Sequence, residues 1–206
     1  KTLAIEFSTN QHGVAVAEYD KVLASVTTEN LKTGPLTLID KALQKANLNR
    51  EEIKIITLGI GPGSYAGIRS AIAIAQGWQL AKEINILPIS SAETLAATAR
   101  TNDLRGRTHF LIDAQRQEYY HTTWNLTDDE QTETTPLHII GVAEAAELES
   151  YGPNAADFPT CEPLYPEAAT LAQLAADRDD FLSGESIEPI YIRQTDFVKA
   201  PPPRQL

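Results

Sequence analysis

Gly61-Pro62-Gly63-Ser64-Tyr65-Ala66-Gly67-Ile68-Arg69 is the stretch on which the reading of this chain turns. Ahead of it runs Ile53-Lys54-Ile55-Ile56-Thr57-Leu58-Gly59-Ile60, an apolar segment of strand length suited to the interior of a sheet. After it comes a helical pattern from Tyr65 to about Lys82. A buried strand, a glycine-rich turn and a long helix make up a strand-to-helix unit of an α/β protein. Glycine allows a positive φ and close backbone approach, and a helix N-terminus offers free N–H groups to an anion. Two readings of Gly61, Pro62, Gly63, Ser64, Gly67 and Arg69 follow: a tight structural turn packed against a neighbour, or a phosphate site. The loop is not a Walker motif, because no Gly-Lys-Ser/Thr follows, and its glycine spacing misses the dinucleotide fingerprint.

Upstream, Leu3–Phe7, Val14–Tyr19 and Val22–Thr28 are short β-rich runs joined by turn clusters, which predicts an antiparallel meander. Gly34-Pro35 starts a helix with Leu36, Ile39, Leu43 and Ala46 on one face. Downstream, Ile84–Ile89 reads as a strand, and Ser90 with Glu93 forms a capping-box pattern for a helix to about Arg100. The order β-β-β-α-β-α-β-α describes a mixed sheet flanked by helices. A weaker version follows, with a hairpin at Thr108–Asp113 and Glu118–Trp124 and a third strand at Pro136–Ile140. Helices are expected at Val142–Ser150 and Pro166–Asp179, a last strand at Ile187–Arg193, and an extended tail at Ala200-Pro201-Pro202-Pro203. We therefore expect two lobes, 1–104 and 105–206.

The helix after the glycine loop is apolar nearly all round, so all sides of it must be covered. Gly67, Ala71 and Ala75 form one row of small residues, and Ala73, Gly77 and Ala81 another. Either the molecule buries this helix internally, or it forms an association surface with the preceding helix. The candidate interface residues are Leu36, Ile39, Leu43, Ala71, Ile72, Ala75 and Trp78.

Of 206 residues, 17 are basic and 28 acidic, a net charge of −11, and residues 101–206 hold 19 of the acids. Such a surface repels phosphate backbones. No run approaches the roughly 18 apolar residues of a membrane helix, and Lys1–Asn10 reads as a strand rather than a leader. One cysteine, Cys161, excludes an internal disulfide, so a cytoplasmic location is the default expectation. Methionine is absent. His12, His109, His121 and His138 are dispersed, with no i, i+4 pair to grip a metal, and no nucleophile–base pair is evident. Glu6 and Asp113 lie where strands turn and could hold Mg²⁺ or water, although neither turn contains a glycine; ordinary turn hydrogen bonding is the alternative.

The run GPGSYAGIRSAIAIAQG from Gly61 to Gly77, continued by Ile89-Ser90-Ser91, resembles the bacterial TsaB (YeaZ) family, and the resemblance extends from about Leu3 to Lys199. Asp113–Tyr120 and Glu188–Arg193 support it. The resemblance implies an actin/Hsp70/sugar-kinase (ASKHA) fold of two RNase H-like lobes. It implies a non-catalytic scaffold subunit for threonylcarbamoyl transfer to adenosine in tRNA, without metal or cofactor of its own. It implies pairing through the first two helices of the N-terminal half with the catalytic TsaD subunit, or with itself when alone, and a TsaE ATPase as further partner. ATP, Mg²⁺ and tRNA would enter through the complex only. Nothing here matches the His-x-x-x-His pair of TsaD. Family members often have Asp-Thr in the first strand where this chain has Glu6-Phe7. An ATP-binding phosphotransferase or ATPase of the same fold, and a glycoprotease-like peptidase, are the competing readings.

Overall fold

The computed structural model describes residues 1–30 and 32–192. The first sheet is built from β1 (Thr2–Glu6), β2 (His12–Glu18), β3 (Lys21–Thr28), β4 (Ile55–Gly59) and β5 (Asn85–Ile89), in the order β3-β2-β1-β4-β5. β1, β2 and β3 pair antiparallel, because their connections are too short for a crossover. β4 and β5 run parallel to β1, and helices α1 (Pro35–Lys45) and α2 (Tyr65–Ala81) make the crossovers. Alternation along the strands sends Leu3, Ile5, Phe7, Val14, Val16, Ile56 and Leu58 to the face covered by α1 and α2. The other face carries Ala4, Ala15, Ala17, Leu87 and Ile89.

The chain continues through α3 (Ser91–Thr101), capped by the Ser90 hydroxyl, into a second sheet. β6 (Gly106–Asp113), β7 (Glu118–Leu126), β8 (Gln131–Gly141), β9 (Ser150–Gly152) and β10 (Cys161–Pro163) take the order β10-β9-β6-β7-β8. The short helix α4 (Val142–Ala145) precedes β9, and α5 (Ala168–Leu174) follows β10. The second half thus repeats the order of the first, with a 3-10 turn at Ala155–Asp157 where the first has its longest helix. The lobes exchange their covers. Leu95, Ala96 and Ala99 of α3 pack on Phe110, Ile112, Tyr120 and Trp124 of the second sheet. Ala168, Leu171 and Ala172 of α5 pack on the alanine-rich face of the first.

Three expectations for the second half are corrected. The helix at Val142–Ser150 is a single turn, and Ser150 begins β9, paired parallel with His109 of β6. Glu144, Glu147 and Glu149 put negative charge where a longer helix would end, the unfavourable pole of its dipole. The helix at Pro166–Asp179 is confined to α5. Residues 187–192 form no strand; Ile190 N–H makes one bond to the Ile60 carbonyl at 2.9 Å, and Pro189 has no N–H to extend a ladder. Arg193 and the proline-rich tail lie outside the described residues. No helix among those described is long and apolar enough to cross a membrane.

Candidate functional site: the glycine loop, the cleft and the outer face of α2

The glycine loop is held from below by the end of β1. Ser64 N–H donates to the Ser8 carbonyl at 2.6 Å, and the Ser64 hydroxyl caps α2 by accepting from Gly67 N–H at 3.3 Å. A Cβ on Gly63, whose φ is +144°, would overlap the Ser8 carbonyl oxygen; one on Gly67 would overlap that of Phe7. Gly61 donates to the Ser91 hydroxyl at 3.1 Å, and Ser91 N–H donates back to the Gly61 carbonyl at 2.7 Å. Gly61, Pro62 and Gly63 are thereby packed against their own chain.

Glu6 lies at the root of this arrangement, fully buried. Its carboxylate accepts from Ser8 N–H at 2.9 Å and from the Ser91 hydroxyl at 3.1 Å. Burial pushes its pKa up, and the bonds from Ser8 and Ser91 oppose that rise. Asp113, the other turn acid, accepts from Gln115 N–H at 2.7 Å, while its own N–H donates to the Asn154 side chain at 2.9 Å. Asp113 thus makes a local turn hydrogen bond, whereas Glu6 joins such a bond to one from Ser91, far along the chain. Among the described residues no group of three His, Cys, Asp or Glu side chains is placed to hold a metal ion.

A cleft of about 830 Å³ lies between the sheets. Ser8, Thr9 and His12 form one wall, Gly63–Tyr65 the rim, and Asp113, Arg116 and Tyr120 the opposite wall. Burial lowers the pKa of His12, which stacks on Phe7 at 4.5 Å between ring centres. At the mouth Tyr65 meets Tyr191 at 5.2 Å, and Arg69 donates to the Tyr65 hydroxyl at 2.6 Å. Arg69 therefore lies outside the cleft floor, on the outward side of α2.

The candidate interface residues divide sharply. Leu36 is exposed and Trp78 half-buried, but Ile39, Leu43, Ala71, Ile72 and Ala75 are buried against the first sheet. These five side chains pack inside the molecule, so the expectation that they meet a partner is corrected. The row Gly67, Ala71, Ala75 faces inward, and the row Ala73, Gly77, Ala81 faces out. With Tyr65 (56% exposed) and Leu80 (90% exposed), that second row makes a face to which α2 itself contributes a single charge, Arg69. A Cβ on Gly77 would have nothing within 4 Å, so internal packing does not explain this glycine. The sequence displays both rows of small residues, but the rotation that separates them comes from the approach of Gly67 to Phe7.

Three of the four dispersed histidines also meet. His109, His121 and His138 lie side by side across β6, β7 and β8. Their separations along the chain reveal nothing until the strand registers are known.

A model of the family described as "TsaD: tRNA N6-adenosine threonylcarbamoyltransferase" matches residues 14–184. The "tRNA threonylcarbamoyladenosine biosynthesis protein TsaB" of Bacillus subtilis is 27% identical over 149 residues, covering 71% of this chain and 64% of that protein. The protein of the same name in Escherichia coli is 32% identical over 85 residues, covering 41% of this chain and 37% of its own length. The chain thus spans less than two thirds of either curated relative. YeaZ from Pseudomonas aeruginosa superposes with a TM-score of 0.77 at 24% identity, covering 93% of this chain and 99% of that one, and it shares the fold of two helix-flanked mixed sheets.

Proposed function

Because the chain belongs to the TsaD family and, within it, to the TsaB (YeaZ) group, we propose that it is a scaffold subunit for threonylcarbamoyl transfer to adenosine in tRNA. It pairs with a TsaD-like catalytic subunit and performs no chemistry itself. The observation that carries this reading is the outer face of α2: Ala73, Gly77 and Leu80, with Tyr65 at its end, leave an apolar, small-residue surface that is exposed among the described residues. A glycine in a helix interior costs about 1 kcal/mol relative to alanine, and no described residue lies within 4 Å of a Cβ built on Gly77 to offset it. Close approach of another helix supplies the reason. Leu36 of α1 is also exposed.

The acidic second half supports delegating tRNA to the partner, since 19 acids among residues 101–206 oppose a phosphate backbone. A second copy of this chain occupies the α2 face when no catalytic subunit is present, and a TsaE-like ATPase joins the assembled pair. ATP and Mg²⁺ act only there, in the cytoplasm. The competing ATP-using reading has the cleft volume in its favour. Against it, the loop glycines pack on Ser8 and Phe7 rather than cradling a phosphate.

Co-expression with a TsaD-like protein, followed by mass measurement in solution, tests the proposal. The expected result is a stable heterodimer that replaces the self-paired form. A chain that stays monomeric and ignores the catalytic protein would overturn it. Heat of Mg²⁺-dependent ATP binding to the isolated chain would favour the competing reading.

A further inference from the structure

His109 Nδ1 lies 3.0 Å from His121 Nε2, and His121 Nδ1 lies 3.3 Å from His138 Nε2. His138 Nδ1 lies 2.8 Å from the Pro136 carbonyl oxygen. The central ring is buried, and the outer two are half-buried. A carbonyl oxygen can only accept, so His138 Nδ1 carries a hydrogen. In the neutral ring Nε2 is then bare and must accept from His121 Nδ1–H. The same logic leaves His121 Nε2 bare, to accept from His109 Nδ1–H. The Thr123 hydroxyl, 3.2 Å from His109 Nδ1 and 3.4 Å from His121 Nε2, sits beside that last contact. One open lone pair remains, on His109 Nε2.

We propose that His109, His121 and His138 act as one proton-counting latch: the row accepts a single proton intact, and a second proton breaks it and loosens β8. The count follows from the geometry. Each of the two N···N contacts holds one hydrogen, and each free end holds one more, four in all. Three neutral imidazoles supply three hydrogens, so one more completes the row. That proton enters at His109 Nε2. It can pass along the row as each shared hydrogen shifts to the facing nitrogen, leaving the charge on His138. A fifth hydrogen must make an N–H face another N–H across one of the two contacts, with two of the three rings then charged.

Neighbouring charges make the second proton harder to hold. Arg107 on β6 opposes charge on both His109 and His121. β9 brings the uncharged Ser150 into register with His109. On the same side of the sheet, α4 and the turn after it contribute the carboxylates Glu144 and Glu147, and Asp157 accepts from the Tyr119 hydroxyl at 3.1 Å. None of these acids is among the groups that act on His121. Burial and the neighbouring cations together hold His121 down to about 4. β8 is an edge strand of its sheet. Its pairing with β7 is regular from Glu118↔Gly141 to His121↔His138 and irregular immediately beyond, between His121 and Trp124. The latch lies at that junction, so its loss frees the Thr132–Thr135 side of the strand.

The test uses the full chain, with nitrogen-15 NMR of the imidazoles and amide hydrogen exchange. Near neutrality, His121 and His138 should carry their hydrogens on Nδ1. Between about pH 6.5 and about pH 4, protection of the β8 amides should fall about tenfold relative to those of β1. The fall should begin only after the row has taken up its first proton. In His138→Asn the ratio of β8 to β1 protection should stay flat over the same range. A hydrogen on Nε2 of neutral His121, or β8 protection that tracks β1 throughout, would overturn the proposal. Both readouts come from the native chain, so a variant that does not fold leaves the decision intact. The outcome is independent of whether α2 binds a partner.

Discussion

Two glycines of the same helix have opposite consequences. Gly67 abuts the Phe7 carbonyl, so Gly67→Ala forces strand and helix apart, whereas Gly77→Ala meets open space. The first should lower stability by about 3 kcal/mol, and the second should raise it by up to about 1 kcal/mol. Denaturant midpoints of the two variants give the comparison directly. Equal midpoints would remove the steric account of the loop. Glu6 provides a pH test at the same scale. Its pKa is raised in the folded chain above the ordinary 4.5, so the folded state takes up the proton more readily than the unfolded one. Its contribution to stability is therefore present at low pH and is lost as the pH climbs from 4.5 through the folded value. Glu6→Gln should flatten the stability–pH profile across that window. A variant retaining the native slope would show that another group sets it. The sequence identifies Glu6 as a turn acid. That it points inward to Ser91, rather than toward the cleft, depends on a contact 85 residues away in the chain.

Elements of the first half were legible because each carries a local signal: alternation in β2, proline at the start of α1, and Gly-Pro-Gly-Ser ahead of α2. In the second half such signals mislead, because α4, β9 and β10 are too short to show a period and are defined by their partners. For α2 the sequence shows an apolar helix but not which side is taken, and this decides how variants behave. Leu80→Asp together with Ala73→Glu should abolish association while shifting unfolding by only about 0.5 kcal/mol. Ala71→Glu should instead unfold the chain, since it buries a carboxylate against Ile5 and Leu58 with no partner. Sedimentation and thermal melts separate the two outcomes. Loss of folding in the Leu80/Ala73 variant would place that face inside the molecule. β7 supplies the opposite acid response from that of Glu6. His121 is held to about 4 against an ordinary 6.5, so the folded state binds its proton less readily. Stability from this group is full above 6.5 and declines as the pH falls toward 4, by up to about 3 kcal/mol.

At the level of the whole molecule, the exchange of α3 and α5 decides how the chain unfolds. Without α5 the first sheet leaves Leu87 and Ile89 uncovered on its alanine face, and α5 in turn loses its seat for Leu171. Full burial of each such side chain is worth about 1.5–3 kcal/mol, and their sum rivals the 5–15 kcal/mol that holds an ordinary domain together. The intact chain should therefore unfold in one transition by calorimetry, and residues 1–104 expressed alone should not fold. Two separate transitions, or a folded fragment, would contradict this. The ion pair of Arg178 with Glu93 at 3.1 Å, and the bond from Glu167 N–H to the Thr98 hydroxyl at 3.3 Å, tie the crossing helices where they meet.

That exchange also constrains how such a chain can be recombined. A hybrid that takes its front half from one relative and its rear half from another separates both helices from the surfaces shaped to receive them. A workable graft would move α3 with the sheet it roofs and α5 with the sheet at the opposite end of the sequence. Residues far apart in the gene are thereby obliged to change in step.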